Sequence, residues 1–273
     1  MDVTALLELD QVAFSYPGTG IDALSAVTIS VAPGEGVALL GPNGAGKTTA
    51  LRLAMALLHP TAGDVRVLGH STRGRMPEDV AGDAGFLFQQ PEHQLFASTV
   101  REDVTFGPRR LGRTGAEDAV AAALDLLELG DVASVHPYDL PVPRRRLVAL
   151  AGALALRPSL LLLDEPTSGL DRHSRALVRR AVARHREGGG AVLAVSHDGA
   201  FVLEALERAI TLDRGRVVQD TDAPSALGRA GAPALPAWAE IAAALGATPD
   251  DWRFGAAVEF VAVRCRERRH AQS

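Results

Sequence analysis

Gly41-Pro42-Asn43-Gly44-Ala45-Gly46-Lys47-Thr48 is a glycine-rich turn closed by a lysine and a hydroxyl. The order of these residues is the P-loop pattern. Its glycines permit positive backbone φ and leave room for phosphate oxygens. Consecutive N–H groups then turn inward, and the following helix N-terminus adds partial positive charge. Lys47 is placed to reach the β- and γ-phosphates of a nucleoside triphosphate, and the Thr48 hydroxyl to ligate Mg²⁺. With Thr49, these residues form the candidate nucleotide-binding set.

A second chemical feature lies downstream. Leu160-Leu161-Leu162-Leu163 is an apolar run that ends in Asp164-Glu165. Two carboxylates at the C-terminal end of a strand sit where open α/β sheets bind ligands. Asp164 is the candidate Mg²⁺ holder, directly or through water, and Glu165 the candidate general base for an attacking water. Further chemical residues follow strands in a fixed order. Gln89 follows Gly85-Phe86-Leu87-Phe88, Ser168-Gly169-Leu170-Asp171 follows Glu165 closely, and His197 sits in Val195-Ser196-His197-Asp198 at the end of the next strand. Tyr16 stands upstream, in Phe14-Ser15-Tyr16-Pro17-Gly18. No His, Cys or carboxylate cluster has transition-metal spacing.

The elements that must position these residues follow from hydrophobic period and breakers. Residues 6–16 and 27–40 read as strands, then 47–58 as a helix closed by His59-Pro60-Thr61-Ala62-Gly63. Val65–Leu68, 85–88, Leu160–Leu163 and Ala191–Val195 read as strands, and 116–129, 145–156, 175–186 and 200–207 as helices. Ile210–Leu212 and Arg216–Val218 suggest a hairpin through Arg214-Gly215. Alternating strands and helices imply an α/β fold with a largely parallel sheet. From about Pro224 the composition shifts to Ala, Gly and Pro, with a helix expected over 236–245 and a polar basic tail, frayed or solvated, at Arg264-Cys265-Arg266-Glu267-Arg268-Arg269.

Composition narrows the class. The chain has 273 residues, 47% hydrophobic, with Lys+Arg 28 against Asp+Glu 33, for a formal charge of -5. A chain of this make-up buries a large core and is neither fibrous nor disordered. The best apolar run, Leu147–Leu156, is closed by Arg146 and Arg157. A spanning helix needs about 20 apolar residues, so any membrane role is expected to be peripheral. Met1-Asp2-Val3-Thr4-Ala5 lacks the features of a signal peptide, and the single cysteine, Cys265, allows no internal disulfide. A cytoplasmic setting is the resulting expectation. The acidic balance argues against nucleic acid as a partner.

Taken together and in order, Tyr16, the P-loop, Gln89, Asp164-Glu165, Asp171 and His197 resemble the ATP-binding subunits of ABC transporters over residues 6–220. The resemblance implies a P-loop NTPase of the ABC ATPase type, a RecA-like parallel-sheet core with an antiparallel β subdomain and a helical subdomain. It places the ATPase domain at 1–222, the helical subdomain at about 90–158 within it, and a C-terminal extension at 223–273. It implies that Tyr16 stacks on adenine and that Gln89 contacts Mg²⁺ and the attacking water while linking to a transmembrane partner. Asp171 would be the D-loop aspartate at a dimer interface, and His197 the switch histidine that contacts the γ-phosphate. ATP and Mg²⁺ are the implied cofactors. Phe88-Gln89-Gln90-Pro91-Glu92-His93-Gln94-Leu95-Phe96, with Thr99–Val104 and Phe106-Gly107-Pro108, is similar to the cobalt-type and energy-coupling-factor (ECF) ATPases. Those energise uptake of metal ions and vitamins. The implied partners are a transmembrane subunit, a second ATPase subunit and a separate substrate-binding membrane subunit, with this chain at the cytoplasmic face of the membrane.

One stretch departs from the family. Where a Leu-Ser-Gly-Gly-Gln signature is expected, the chain has Leu140-Pro141-Val142-Pro143-Arg144. Pro141 brings no hydroxyl and no N–H, Pro143 no N–H, and Val142 a branched Cβ where close backbone approach is needed. Two readings of the basic run stay open. Arg144 or Arg145 replaces the lost donors with charge, or Arg144-Arg145-Arg146 is a solvated basic face at a helix start, the reading favoured here. The defect harms a site completed by this signature and not the chain's own P-loop. A heterodimer with an intact partner is therefore favoured over a homodimer, and a catalytically weak or regulatory nucleotide-binding subunit is the alternative. Cys265 and the basic tail are given no role.

Overall fold

Runs in which every side chain is apolar set the central sheet. The computed structural model describes residues 5–18, 20–228 and 232–270. Strands β1 (Leu7–Ser15) and β2 (Asp22–Val31) precede the central β3 (Gly36–Leu40), which leads into helix α1 (Lys47–Ala54). Then come β4 (Ala62–Val67), β5 (His70–Ser71), α2 (Pro77–Val80) and β6 (Ala84–Leu87). Helices α3 (Val100–Arg110), α4 (Ala116–Leu126) and α5 (Val142–Ala155) separate β6 from β7 (Leu160–Asp164). The chain continues through α6 (Arg172–Glu187), β8 (Ala191–Val195), α7 (Gly199–Ala205), β9 (Arg208–Asp213) and β10 (Arg216–Asp222). It closes with α8 (Ala223–Leu227), α9 (Ala237–Ala244) and α10 (Phe254–His270).

A 6-stranded sheet runs in the order β10-β9-β3-β8-β7-β6, parallel except at β10. A second, 4-stranded antiparallel sheet runs β2-β1-β4-β5. Strands β3, β7 and β8 are buried along their whole length. Their side chains alternate between two cores, as the strand period of two requires. Ala38, Leu40, Leu161, Leu163, Val192 and Ala194 face the core built with α3–α7. Val37, Leu39, Leu160, Leu162, Leu193 and Val195 face the core shared with α1 and the antiparallel sheet.

The alternating α/β reading holds, with local corrections. The strand expected over 27–40 is two strands, separated by a turn at Gly34 (φ +75°) in which the Glu35 N–H donates to the Ala32 carbonyl (3.1 Å). The helix expected to reach residue 58 stops at Ala54, and Ala56 is left-handed at φ +54°. Helix α3 was not anticipated, because Pro108 inside it reads as a breaker. Its signal lay at Thr99, whose hydroxyl accepts the Glu102 N–H (3.2 Å) as an N-cap. The basic tail is not frayed backbone. It continues α10 to His270. Met1–Thr4 of the N-terminal reading, and the side chains of Glu92, Cys265 and Arg266–Arg269, lie outside what the structure describes.

The C-terminal elements pack onto the body. Ala239 and the buried Trp252 join the core beneath α7 and α8. Trp238 Nε1 donates to the Trp252 carbonyl (3.0 Å), and Arg253 donates to the carbonyls of Leu203 and Leu206, the latter at 3.1 Å. No described helix is long and apolar enough to cross a membrane.

Candidate functional site

The chemical residues converge at the C-terminal edge of the large sheet. Strand β3 delivers the chain into the loop at Gly41, where φ is +132°, and α1 begins after Gly46, where φ is +101°. Any Cβ at Gly41 would run into the Leu212 carbonyl, and at Gly46 into the Ala23 carbonyl. Both positions therefore need glycine for conformation and for space. Lys47 is 7% exposed and folds back over the loop, its Nζ donating to the carbonyls of Gly41 (2.7 Å) and Pro42 (2.9 Å). Burial pushes the Lys47 ammonium below the usual lysine range, against the opposing pull of Glu165 and Asp164. Four loop residues, Pro42 to Ala45, form the turn between these glycines, with the Ala45 N–H on the Pro42 carbonyl (3.2 Å).

Strand β7 brings Asp164 to α1. The Thr48 hydroxyl donates to Asp164 Oδ2 at 2.9 Å. Asp164 is 2% exposed, and burial raises its carboxyl above the usual range, partly offset by the Thr48 hydrogen bond. A carboxylate and a hydroxyl in contact, with the Gln89 amide across a cleft of about 400 Å³, are hard oxygen donors suited to Mg²⁺. Arg52, Gln90 and His93 line the same cleft.

Glu165 occupies a left-handed turn at φ +53°, a conformation a glutamate rarely adopts. Such strain persists where surrounding bonds impose it. The Glu165 N–H donates to the Val195 carbonyl (2.9 Å) and its carbonyl accepts from Arg146 Nη1 (2.7 Å). Its carboxylate points to the end of β8, where Oε2 accepts the His197 N–H (3.3 Å) and Oε1 lies 3.4 Å from His197 Nε2. Oε1 is buried and has no hydrogen-bond partner among the described residues. Burial raises the Glu165 carboxyl above the usual glutamate range, and His197 works against that rise. The arrangement can hold a carboxylate that takes a proton from water.

The remaining candidates divide. Gln89 stands two residues past β6, exposed at the rim of the cleft. Tyr16 is half-buried, its ring edge-on to Phe14 (4.9 Å) and its hydroxyl 3.1 Å from Thr49 Oγ1. Asp171 is exposed and caps α6, accepting the Ser174 N–H at 2.7 Å, which holds its carboxyl below the usual range. Leu140–Arg144 lie at the start of α5, with Pro141 as an N-cap that offers no side-chain bond and Val142 57% exposed. Arg144 pairs with Asp131 (2.8 Å). Among the described residues, none of Leu140–Arg144 hydrogen-bonds to the chain's own P-loop.

Two features were missed in the sequence. The basic run is not a uniformly solvated face. Arg145 donates to the carbonyls of Leu140 (2.8 Å) and Tyr138 (2.6 Å) and stacks over the Tyr138 ring. Arg146 is buried and donates to Glu165 and Gln89. Its signal was spacing, since Arg146 shares the helix face of the buried Ala149, Leu150 and Ala153. Gln94 was also overlooked. Its amide accepts the Phe88 N–H and donates to the Phe86 carbonyl, each at 3.0 Å, pinning the end of β6.

Similarity to known proteins agrees with this geometry. The family model described as ABC transporter matches residues 24–168, more than half of the chain. A shorter match, to an AAA domain described as a putative AbiEii toxin of a type IV TA system, overlaps it at residues 144–204. The chain is 41% identical over 218 residues to a putative ABC transporter ATP-binding protein of Gloeobacter violaceus, covering 78% of this chain and 88% of that one. It is 35% identical over 219 residues to the energy-coupling factor transporter ATP-binding protein EcfA of Methanothermobacter thermautotrophicus, covering 79% and 70%. Among solved structures, cbiO1 of Clostridium perfringens, described as part of the ABC transporter complex cbiONQ, superposes with a TM-score of 0.73 at 25% identity, over 82% of this chain and 91% of that one. A lysine-closed glycine-rich loop, the adjacent carboxylates Asp164 and Glu165 and this match together place the chain in the ABC transporter family, as an ATP-binding subunit.

Proposed function

We propose that this chain is the ATP-hydrolysing motor of an ABC importer of the energy-coupling or cobalt type. In this reading it energises uptake of a metal ion or vitamin through a membrane partner at the cytoplasmic face. The carrying observation is the continuous polar chain Thr48–Asp164–Glu165–His197 beside the lysine-closed P-loop. The similarity to EcfA and cbiO1 and the Phe88–Phe96 segment support the importer type. The same reading assigns residues 1–222 to the ATPase domain and 223–273 to an extension.

The P-loop N–H groups and Lys47 receive the β- and γ-phosphates, for which Lys47 leaves the Gly41 and Pro42 carbonyls. Tyr16 supports the adenine. Thr48, Asp164 and Gln89 hold Mg²⁺, which when bound neutralises phosphate charge. Gln89 and His197 orient water and γ-phosphate, and Glu165 accepts the water proton. The water oxygen bonds to the γ-phosphorus as the bond to the β–γ bridging oxygen breaks, leaving ADP and phosphate. Two ATPase subunits close head to tail around ATP, with Asp171 at their interface, and reopen after hydrolysis. The Gln89–Phe96 segment passes the motion to a transmembrane subunit, while cargo is chosen by a separate membrane subunit.

A second reading is favoured by Leu140-Pro141-Val142-Pro143-Arg144. A site completed by this sequence lacks two backbone donors to developing phosphate charge, the N–H groups missing at Pro141 and Pro143. The chain then works beside an intact-signature ATPase, as a weakly hydrolytic or regulatory partner. Lys47→Ala and Glu165→Gln separate the two readings in the assembled transporter. In the motor reading both abolish uptake, and Glu165→Gln retains ATP binding while hydrolysis falls about 100-fold or more. Uptake that needs Lys47 but survives Glu165→Gln assigns the chain to the regulatory role.

A further inference from the structure

The buried guanidinium of α5 touches both halves of the hydrolytic site. Arg146 is 7% exposed, Nη1 donates to the Glu165 carbonyl at 2.7 Å, and Nη2 donates to the Gln89 carbonyl at 3.2 Å. These bonds go to backbone, so they fix the course of the chain at each catalytic residue and leave both side chains available. At Glu165 the need for such fixing is visible, because its backbone is left-handed at φ +53°. A non-glycine residue there is held against its own preference, and its neighbours must offset that strain. The Val195 carbonyl holds the N–H side of the turn and Arg146 the carbonyl side.

The Gln89 side of the contact has the same character. Gln89 lies in irregular backbone beyond β6, beside the Gln94 amide that bonds Phe86 and Phe88. Gln94 pins the end of the strand at Phe86 and Phe88, and Arg146 pins the Gln89 carbonyl just beyond. The donor for both catalytic turns sits on the first turn and a half of α5, the helix that begins with the altered signature. Charge suits this position, since a guanidinium stays protonated and offers a planar fork of donors to two separate acceptors.

We infer that Arg146 is a positioning residue for hydrolysis: it ties the signature helix to the Glu165 turn and the Gln89 loop and holds the two in register. This rests on the motor reading above. Arg146 acts through Glu165 and Gln89 and not on the nucleotide, so its loss should change turnover and leave ATP affinity nearly intact. A misplacement on the order of 1 Å in a catalytic group costs about 100-fold in rate.

The test uses the full chain with Arg146→Met, of similar length and apolar, and Arg146→Lys, which keeps charge and one donor. Single-turnover hydrolysis by enzyme in excess detects slow turnover, and binding of a fluorescent ATP analogue reports affinity separately. The expected result is a rate about 10–100-fold lower in Arg146→Met, affinity within about threefold of the parent, and partial recovery in Arg146→Lys. Amide hydrogen exchange without nucleotide supplies a readout that needs no catalysis: exchange should quicken in residues 88–90 and 165–168 and not elsewhere. Unchanged exchange in both segments overturns the inference. So does equal loss of ATP affinity and rate in both variants, which marks a general structural role. A parent chain whose hydrolysis does not depend on Glu165 overturns the motor reading instead, and the exchange result still decides the role of Arg146.

Discussion

At the residue scale the site is held by few atoms under strong constraint. Lys47 covers the loop it is meant to serve, bonded to two of its carbonyls. Glu165 is a half-buried carboxylate whose Oε1 lies 3.4 Å from His197 Nε2. Burial raises its proton affinity in the native state, with two consequences. Hydrolysis should fall as pH drops through a midpoint above that of free glutamate, read from the acid limb of kcat. The effect on stability has the opposite sign to that of a salt-bridged carboxylate. The folded state binds this proton more tightly than the unfolded chain, so the group's stabilising effect is complete at pH below the unfolded value. It is lost as pH rises through the folded value. Glu165→Gln should therefore raise the melting temperature at pH 7 and give no gain in acid, as thermal scans at the two pH values would show.

At the element scale, α5 joins the Leu140–Arg144 stretch to the turns at Glu165 and Gln89. Its N-cap, Pro141, makes no side-chain bond to the helix. Pro141→Ser alone should stabilise the protein by about 1 kcal/mol through an N-cap hydroxyl, measurable as a shift in the urea midpoint. Combined with Val142→Gly and Pro143→Gly, it returns backbone donors to the helix start. ATP hydrolysis by the chain alone should then rise about tenfold or more. An unchanged rate would mean that Arg144 and Arg145 already supply the clamp. Both arginines are engaged within the chain, with Asp131, Tyr138 and Leu140. Elements were legible where period or breakers were clean, as in Ala191–Val195, which is the strand as read. They were not legible where breaker and former coincide. Pro108 hid α3, and the charged Arg264–Arg269 stretch hid a helix whose backbone runs to His270.

At the scale of the whole molecule, two cores flank one sheet and the chain after β10 extends the first of them. Trp252 is 7% exposed and its ring packs beside Gly228, while Arg253 bonds the end of α7. Trp252→Ala should cost about 3–5 kcal/mol, read from denaturant unfolding, if the extension unfolds together with the body. A loss below about 1 kcal/mol, with early exchange confined to residues 232–270, would show that the extension opens on its own. The alternation of Val37, Ala38, Leu39 and Leu40 between the two cores keeps β3 central, and with it the loop at Gly41.

The sequence by itself determined the glycine-rich loop between strand and helix, the carboxylates after the apolar strand and the α/β class. These rest on local facts: glycine's freedom, the burial of unbroken apolar runs and the short chain distance between a strand end and the next helix. Only the tertiary structure decided which distant residues meet. Thr48 reaches Asp164, His197 reaches Glu165, and Arg146 reaches both Glu165 and Gln89. The physical reason is strand order. Placing β8 between β3 and β7 sets His197 beside Glu165, and packing α5 against the sheet buries an arginine that reads along the chain as one of a solvated run.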